Sequence, residues 1–297
     1  MRYKMLFLAL LTACSVRCQK APEKTCNDKQ KTETKSFAVV PEMVDSMIFA
    51  GQMIRFDDWD MKERMEREMI SFATSHQNSI LILKKAPRYL PRMRKILKEE
   101  GVPEDFVYLC VIECNLNTLA KSGVGAAGFW QFMETTAREY KLEVNDCIDE
   151  RFDIEKSTRA ACKYLKNSYA KFGDWMAVAA SYNAGMGRIG GELEKQDVDN
   201  VFDLWLNTET SRYIFRLLAV KLMIENPAGF GFGNIGECYK PIKTKKIAVS
   251  SEIADLGAWA KDHGTNYRMV KLLNPWLRSR KLCNKSGKTY FIEIENR

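Results

Sequence analysis

The stretch that decides the fold is FVYLCVIECNLN, residues 106–117, which leads into the small-residue run SGVGAAG, residues 122–128. The run around Glu113 is apolar and predicts a buried helix with this glutamate near its end. A carboxyl group in apolar surroundings is disfavoured as an anion, so its pKa rises and it can hold a proton near neutral pH. These properties are typical of a general acid, although a glutamate at the end of an apolar helix is more often simply solvated.

Two features follow this run along the chain. The segment FWQFM, residues 129–133, combines aromatic rings with an amide, as the wall of a sugar-binding cleft does. The run from Gly123 to Gly128 also matches the G-x-G-x-x-G fingerprint of dinucleotide sites. That fingerprint requires the glycines to follow a strand directly and to open a helix. Residues 113–122 intervene here and no βαβ units follow, so a nucleotide site is not expected.

Helical spacing of apolar residues dominates residues 37–226. Helices are predicted after Asp60, over Leu90–Glu100 with Gly101 as the C-cap, and after caps at Ser157-Thr158 and Asp174. A further helix over Ser211–Ile224 ends before Pro227. In residues 246–294 a strand, two helices and a strand are predicted. The expected fold is therefore mainly α, with a small C-terminal α+β module of βααβ order.

Composition excludes several classes of function. The 297 residues are 46% hydrophobic and 28% charged with a net charge of +8, as in a soluble globular protein. The basic residues lack the pattern of a nucleic-acid binder. The two histidines, His76 and His263, lie in different predicted domains and beside no nucleophile, which argues against imidazole-based hydrolysis. The nine cysteines fit no zinc spacing, and neither a metal, a cofactor nor a structural disulfide is expected.

The N-terminus has the pattern of a targeting segment. Arg2 and Lys4 precede the short apolar run 5–11, and Leu11-Thr12-Ala13-Cys14 resembles a bacterial lipobox. Residues 1–13 are predicted to be a lipoprotein signal peptide, with lipid attached at Cys14; an ordinary secretory signal is the alternative. Residues 14–36 are polar and predict a flexible linker. We expect an exported protein tethered to a membrane by this anchor, in the outer membrane facing the periplasm.

Several segments together resemble the lytic murein transglycosylases of glycoside hydrolase family 23. They are, in chain order, Glu113–Asn117, Gly125–Met133, Asp149–Ala161, Ala180–Gly185 and Glu209–Tyr213. The resemblance covers about residues 100–225. It departs from the family at Cys114 and Ser181, two small changes in volume.

The resemblance implies a lysozyme-like fold and an activity without a cofactor. Glu113 would protonate the glycosidic oxygen between N-acetylmuramic acid and N-acetylglucosamine in peptidoglycan glycan strands. It would then accept the proton of the muramyl C6 hydroxyl as that oxygen closes a 1,6-anhydro ring. Substrate-binding roles carry over to a further set of positions: Ser122, Gln131, Phe132, Met133, Tyr182, Asn183 and Glu209. Trp130 is as consistent with the core as with sugar stacking.

The C-terminal residues resemble a degenerate LysM module. The sequence is equally consistent with sugar binding and with a purely structural role for this module. The organisation that follows is a helical N-terminal extension over 37–99, a catalytic domain over 100–226, a linker over 227–245 and a LysM-like module over 246–297. Two alternatives stay open. One is a hydrolytic muramidase that uses Asp149 or Glu150 as a second carboxylate, and the other is a non-catalytic wall-binding lipoprotein.

Overall fold

A computed structural model describes residues 39–296; the predicted signal peptide, the lipidation site at Cys14 and the linker over 14–36 lie outside these residues. The described chain is mainly helical, and the prediction of a mainly α fold is confirmed. The helices of the first part are α1 (Trp59–Thr74), α2 (His76–Glu99), α3 (Val107–Cys114), α4 (Glu134–Glu139), α5 (Ile154–Phe172), α6 (Trp175–Ala184), α7 (Met186–Gln196) and α8 (Thr208–Glu225).

The C-terminal part has the predicted βααβ order. It consists of β3 (Thr244–Val249), α9 (Leu256–Asp262), α10 (Tyr267–Leu273) and β4 (Tyr290–Glu295). Strands β3 and β4 pair antiparallel, with Ile247 opposite Ile292. Alternate residues of β4 are buried, which is the pattern of a strand with one face on a core.

The extension over 37–99 is not purely helical. A hairpin of β1 (Ser46–Phe49) and β2 (Gln52–Arg55) precedes α1. Ala50 and Gly51 form its two-residue turn with φ of 53° and 80°, the left-handed pair that a type I′ turn needs. Phe49 of this hairpin is fully buried against Phe106, so the hairpin belongs to the main core.

Several helix boundaries differ from the predictions, and α8 begins at Thr208, three residues before the predicted Ser211. The cap of α1 is Asp58, whose side chain accepts the Met61 amide, rather than Asp60. Helix α2 begins at His76 instead of Leu90, although it contains Pro87 and Pro91. The free energy gained by burying one face of this helix exceeds the cost of the two backbone hydrogen bonds that the prolines cannot donate. The buried residues are Ser79, Ile82, Leu83, Ala86, Leu90, Met93, Ile96 and Leu97.

Helix α5 begins four residues before the predicted cap. Asp153 is its N-cap and accepts the amides of Glu155 and Lys156. Ser157 and Thr158 lie inside the helix, where their hydroxyls donate to backbone carbonyls one turn earlier. The prediction at Asp174 is confirmed, since its side chain accepts the Ala177 amide and α6 begins at the next residue.

The prediction that the chain holds no structural disulfide is wrong. Cys147 and Cys283 are bonded, with their Cα atoms 5.9 Å apart and a sequence separation of 136 residues. Cys110, Cys114 and Cys162 are free and buried, as their helical positions predict. The bond joins a loop before α5 to a loop of the C-terminal module, and sequence spacing carries no signal for such a contact.

Candidate active site

Glu113 lies in the last turn of α3, the most buried helix of the chain. All residues of α3 except Glu113 are buried. Two residues with left-handed backbone conformation, Asn115 and Leu116, end the helix just beyond the glutamate. Because the helix is apolar on all sides, its place in the core is fixed by packing. The glutamate side chain is half-buried at the core's edge rather than directed into open solvent.

A tyrosine from another helix hydrogen-bonds this carboxyl group. The Tyr213 hydroxyl donates to Glu113 Oε1 at 2.6 Å. Tyr213 is on α8, and the helical repeat places Glu209 and Arg216 on the same face of that helix. Tyr213 is the last residue of the segment Glu209–Tyr213 that resembles the family, and no role was predicted for it. Its spacing of four residues from Glu209 was the signal that could have identified it.

The pKa of Glu113 is raised above its ordinary value of 4.5. Burial is the main cause, and the charge of Glu209 acts in the same direction. The Tyr213 hydrogen bond and the positive charge of Arg216 oppose the rise without cancelling it. The site therefore combines a carboxyl group whose pKa is raised by burial with two groups that stabilise its anion.

Helix α6 brings Tyr182 and Asn183 to this region. Burial raises the pKa of Tyr182 well above 10, and the negative charge of Glu113 adds to the rise. The Tyr182 hydroxyl donates to the carbonyl oxygen of Trp130 at 2.7 Å. Asn183 is half-buried, and no residue within 39–296 hydrogen-bonds its side-chain amide, so that amide is available to a ligand.

Residues 122–133 form a loop, called the substrate loop below, between α3 and α4. Gln131 lies in this loop with φ of 46°, and its Nε2 donates to the carbonyl oxygens of Gly128 at 2.7 Å and Ala120 at 3.3 Å. Ser122 Oγ accepts the Ala126 amide at 3.0 Å. Both side chains thus stabilise the loop itself, which is a different use from the direct sugar contacts that the resemblance implies.

The remaining predicted residues occupy distinct environments. Phe132 is buried and its ring packs against Tyr140 and Tyr182. Met133 is 43% exposed at the start of α4, and Glu209 is exposed in the first turn of α8. Phe132 can shape the cleft through Tyr182, whereas Met133 and Glu209 are open to a ligand in solution.

Trp130 belongs to the core. Its side chain is fully buried, and its indole Nε1 donates to Thr158 Oγ1 at 2.9 Å. The ring therefore supports the substrate loop from within and does not stack on a sugar.

The carboxylates Asp149 and Glu150 are engaged elsewhere. Asp149 accepts two hydrogen bonds from the guanidinium of Arg151, at 2.9 and 2.7 Å, and all three residues are buried. Glu150 accepts the Glu143 amide at 2.8 Å and an ion pair from Lys156. Among residues 39–296, no group of three or more His, Cys, Asp or Glu side chains is arranged to hold a metal ion.

Comparisons with known proteins identify two domains in this chain. A model of the transglycosylase SLT domain matches residues 93–204, and a model of the soluble lytic transglycosylase C-terminal LysM-like domain matches residues 245–297. The chain is 31% identical over 140 residues to membrane-bound lytic murein transglycosylase D of Escherichia coli K12. That alignment covers 46% of this chain and 31% of the relative, so the chain spans about a third of the relative's length.

Two further proteins are similar to parts of the chain. Peptidoglycan transglycosylase gp16 of Escherichia phage T7 is 41% identical over 73 residues, which cover 24% of this chain and 6% of that protein. The solved structure of the 70 kDa soluble lytic transglycosylase of Escherichia coli aligns with a TM-score of 0.41 at 20% identity, covering 56% of this chain and 28% of that one. The chain thus carries a transglycosylase SLT domain followed by the LysM-like C-terminal domain of soluble lytic transglycosylases.

Proposed function

We propose that the protein is a peptidoglycan lytic transglycosylase. It cleaves the β-1,4 bond between N-acetylmuramic acid and N-acetylglucosamine and leaves 1,6-anhydromuramyl ends. The observation that carries the proposal is the carboxyl group of Glu113, half-buried in an SLT domain and hydrogen-bonded by Tyr213. Burial raises the pKa of this group, as suits a donor of protons.

The reaction needs a single carboxyl group that acts twice. Glu113 first donates its proton to the glycosidic oxygen as the bond between that oxygen and the muramyl C1 breaks. The resulting carboxylate then accepts the proton of the muramyl C6 hydroxyl while that oxygen bonds to C1. The proton returns to Glu113, and water is neither consumed nor released. Because the attacking hydroxyl belongs to the same sugar, its effective concentration is already high.

The neighbours of Glu113 suit this cycle. During the anionic stage, the Tyr213 hydrogen bond and the charge of Arg216 stabilise the carboxylate. Asn183 offers an unpaired amide to the sugar's acetamido group, as its position on α6 beside Tyr182 allows. Gln131 and Ser122 contribute by ordering the substrate loop, and Met133 and Glu209 present exposed side chains to the glycan.

Hydrolysis by a muramidase is the second candidate. It requires another carboxylate to activate water or to attack C1. Asp149 and Glu150 are committed to ion pairs, so neither suits that role. Glu209 is the carboxylate that acts electrostatically on Glu113 and is the better candidate. Reducing-end products from the wild type, together with loss of activity in Glu209→Gln, would favour hydrolysis with Glu209 as the second carboxylate. Reducing-end products from the wild type, together with full activity of the variant, would exclude Glu209 from that role.

The test of the main proposal compares Glu113→Gln with wild-type protein on purified peptidoglycan. The variant should release soluble muropeptides at least about 10²-fold more slowly, the scale of general acid catalysis. Glu66→Gln, an exposed change on α1, is the matched control and should retain activity. Unchanged release by Glu113→Gln would remove this residue from the mechanism. Wall binding without cleavage by the wild type would support the non-catalytic alternative.

We also propose that the protein is exported and anchored by lipid on Cys14, on the periplasmic side of the outer membrane. The lipobox-like segment supports the anchor. Within the described part of the chain, no helix has both the length and the apolar character needed to cross a bilayer. Replacement of Cys14 by Ser should move the protein from the membrane fraction to the soluble fraction. Retention of the variant in washed membranes would contradict lipid anchoring at this residue.

A further inference from the structure

Arg151 is a buried cation whose donors face the substrate loop. Its Nη1 donates to the carbonyl oxygens of Gly125 at 2.9 Å and Phe132 at 3.1 Å, near the two ends of that loop. Its Nε and Nη2 donate to Asp149, which neutralises the charge. Charge-assisted hydrogen bonds from a planar guanidinium fix direction as well as distance. One side chain thus holds both ends of the loop.

The backbone of Arg151 also carries the loop. Gly128, at the loop's centre, has φ of 78° and lies so close that a Cβ atom there would be 1.8 Å from the carbonyl oxygen of Arg151. The loop therefore rests on residue 151 through direct backbone contact. Any displacement of this residue moves Gly128, and with it Trp130, whose carbonyl oxygen receives the Tyr182 hydroxyl.

The C-terminal module, residues 246–297, fixes the place of Arg151. The Asp149 amide donates to the Trp276 carbonyl at 2.9 Å, and the Arg278 amide donates to the Cys147 carbonyl at 2.8 Å. The disulfide between Cys147 and Cys283 joins the same two segments covalently. Ile148 and Phe152 are buried in the core of the C-terminal module, together with Val270, Leu277, Leu282, Tyr290 and Ile292.

We propose that Arg151 is a positioning residue for glycan cleavage and that the C-terminal module sets its place through residues 147–149. The module is then part of the catalytic unit, because it determines the geometry of the loop to which Tyr182 is hydrogen-bonded. The role in cleavage rests on the proposed function. The mechanical link between the module and the loop does not, and it is measured separately below.

The first experiment measures the link without catalysis. Hydrogen exchange is followed at the amides of Ala126, Ala127 and Gly128, which donate to Ser122 Oγ and to the carbonyl oxygens of Phe132 and Ala120, respectively. Arg151→Lys keeps the positive charge beside Asp149 but loses the guanidinium hydrogen bonds to the two loop carbonyl oxygens. These amides should exchange about 10- to 100-fold faster, the change expected for lost hydrogen bonds to a charged group. Arg159→Lys, an exposed change on α5, is the control and should leave them unchanged.

A double variant, Cys147→Ser with Cys283→Ser, tests the module's part. The same loop amides should exchange faster, and by a larger factor than the amides of α8, which report the global loss of stability. Unchanged loop exchange in both variants overturns the proposal. If Arg151→Lys does not fold, the double variant decides alone, and normal loop exchange in it overturns the link.

Activity then tests the consequence for cleavage. Arg151→Lys should lower kcat/KM about 10- to 100-fold, by the same loss of hydrogen bonds, while the pH profile set by Glu113 stays in place. In a Glu113→Gln background the substitution should weaken binding to glycan strands. Faster loop exchange with normal kcat/KM would overturn the positioning role. If wild-type protein forms no anhydro ends, the proposed function fails instead, and the exchange result still decides the link.

Discussion

At the scale of single residues, Glu113 and Tyr213 determine the chemistry. The hydroxyl group of Tyr213 lowers the pKa of Glu113 against the effect of burial. The apolar run alone did not decide between a buried and a solvated acid at position 113, and the structure places this side chain half-buried. The run could not predict the tyrosine, which comes from a helix 100 residues away. Once Glu209 is assigned to a face of α8, the possible partners of Glu113 are the residues one helical turn from it on that face. Tertiary packing decides which of them reaches Glu113.

The substitution Tyr213→Phe tests this pair. Without the hydrogen bond the pKa of Glu113 should rise further, so the acid stays protonated to higher pH. The alkaline limb of the kcat/KM profile should move to higher pH, and kcat/KM at its optimum should fall about 10- to 100-fold. Rates measured on peptidoglycan across the pH range check both effects. A limb that moves to lower pH would contradict the assignment.

The raised pKa of Glu113 also predicts a pH-dependent stability. The folded protein binds this proton more tightly than the unfolded chain, whose carboxyl has an ordinary pKa near 4.5. Stability should therefore be unaffected by this group below that value and should fall as pH rises through the folded pKa. Glu113→Gln removes this loss, so its Tm relative to wild type should increase from acid to neutral pH. A Tm difference that is independent of pH would argue against a raised pKa.

At the scale of elements, the substrate loop depends on a single close contact. Gly128→Ala would place a methyl group against the Arg151 carbonyl in a left-handed conformation. We expect a loss of more than about 2 kcal/mol in the free energy of unfolding. Gly123→Ala is the matched control, because no atom lies within 4 Å of its Cβ position. Denaturant unfolding of both variants gives the comparison, and equal stability would show that the loop can move away.

Local sequence predicted the type of most elements but not all their bounds. Spacing of apolar residues and the cap at Asp174 were sufficient for the helices around Glu113. Helix α2 was predicted too short, because Pro87 and Pro91 oppose a helix that burial nevertheless stabilises. The hairpin of β1 and β2 was missed because each strand has four residues, too few for alternation to be distinguished from helical spacing.

At the scale of the whole molecule, the disulfide links the SLT domain to the C-terminal module. It closes a loop of 136 residues, for which removal of a native disulfide typically costs about 2–5 kcal/mol. The double Cys-to-Ser variant should lose this amount of stability in denaturant unfolding. Reduction of wild-type protein should have a similar effect, and a variant as stable as wild type would show that packing alone holds the module.

The molecule's architecture was predicted from its motifs, whereas the contact between its parts was not. The βααβ order of the C-terminal residues follows from local patterns. The packing of Ile148 and Phe152 into that module depends on tertiary structure, and the sequence contains no periodic signal for it. For the same reason, the sequence does not show that Arg151 donates hydrogen bonds to carbonyl oxygens of the substrate loop.

The central claim is that Glu113 directs an internal attack by the substrate's own hydroxyl group. Digestion of peptidoglycan in water enriched with ¹⁸O, followed by mass spectrometry of the released muropeptides, tests it most directly. Ends that lack one water and carry no label are the predicted result. Reducing ends that carry one ¹⁸O atom would contradict the account, because water would then have been the nucleophile.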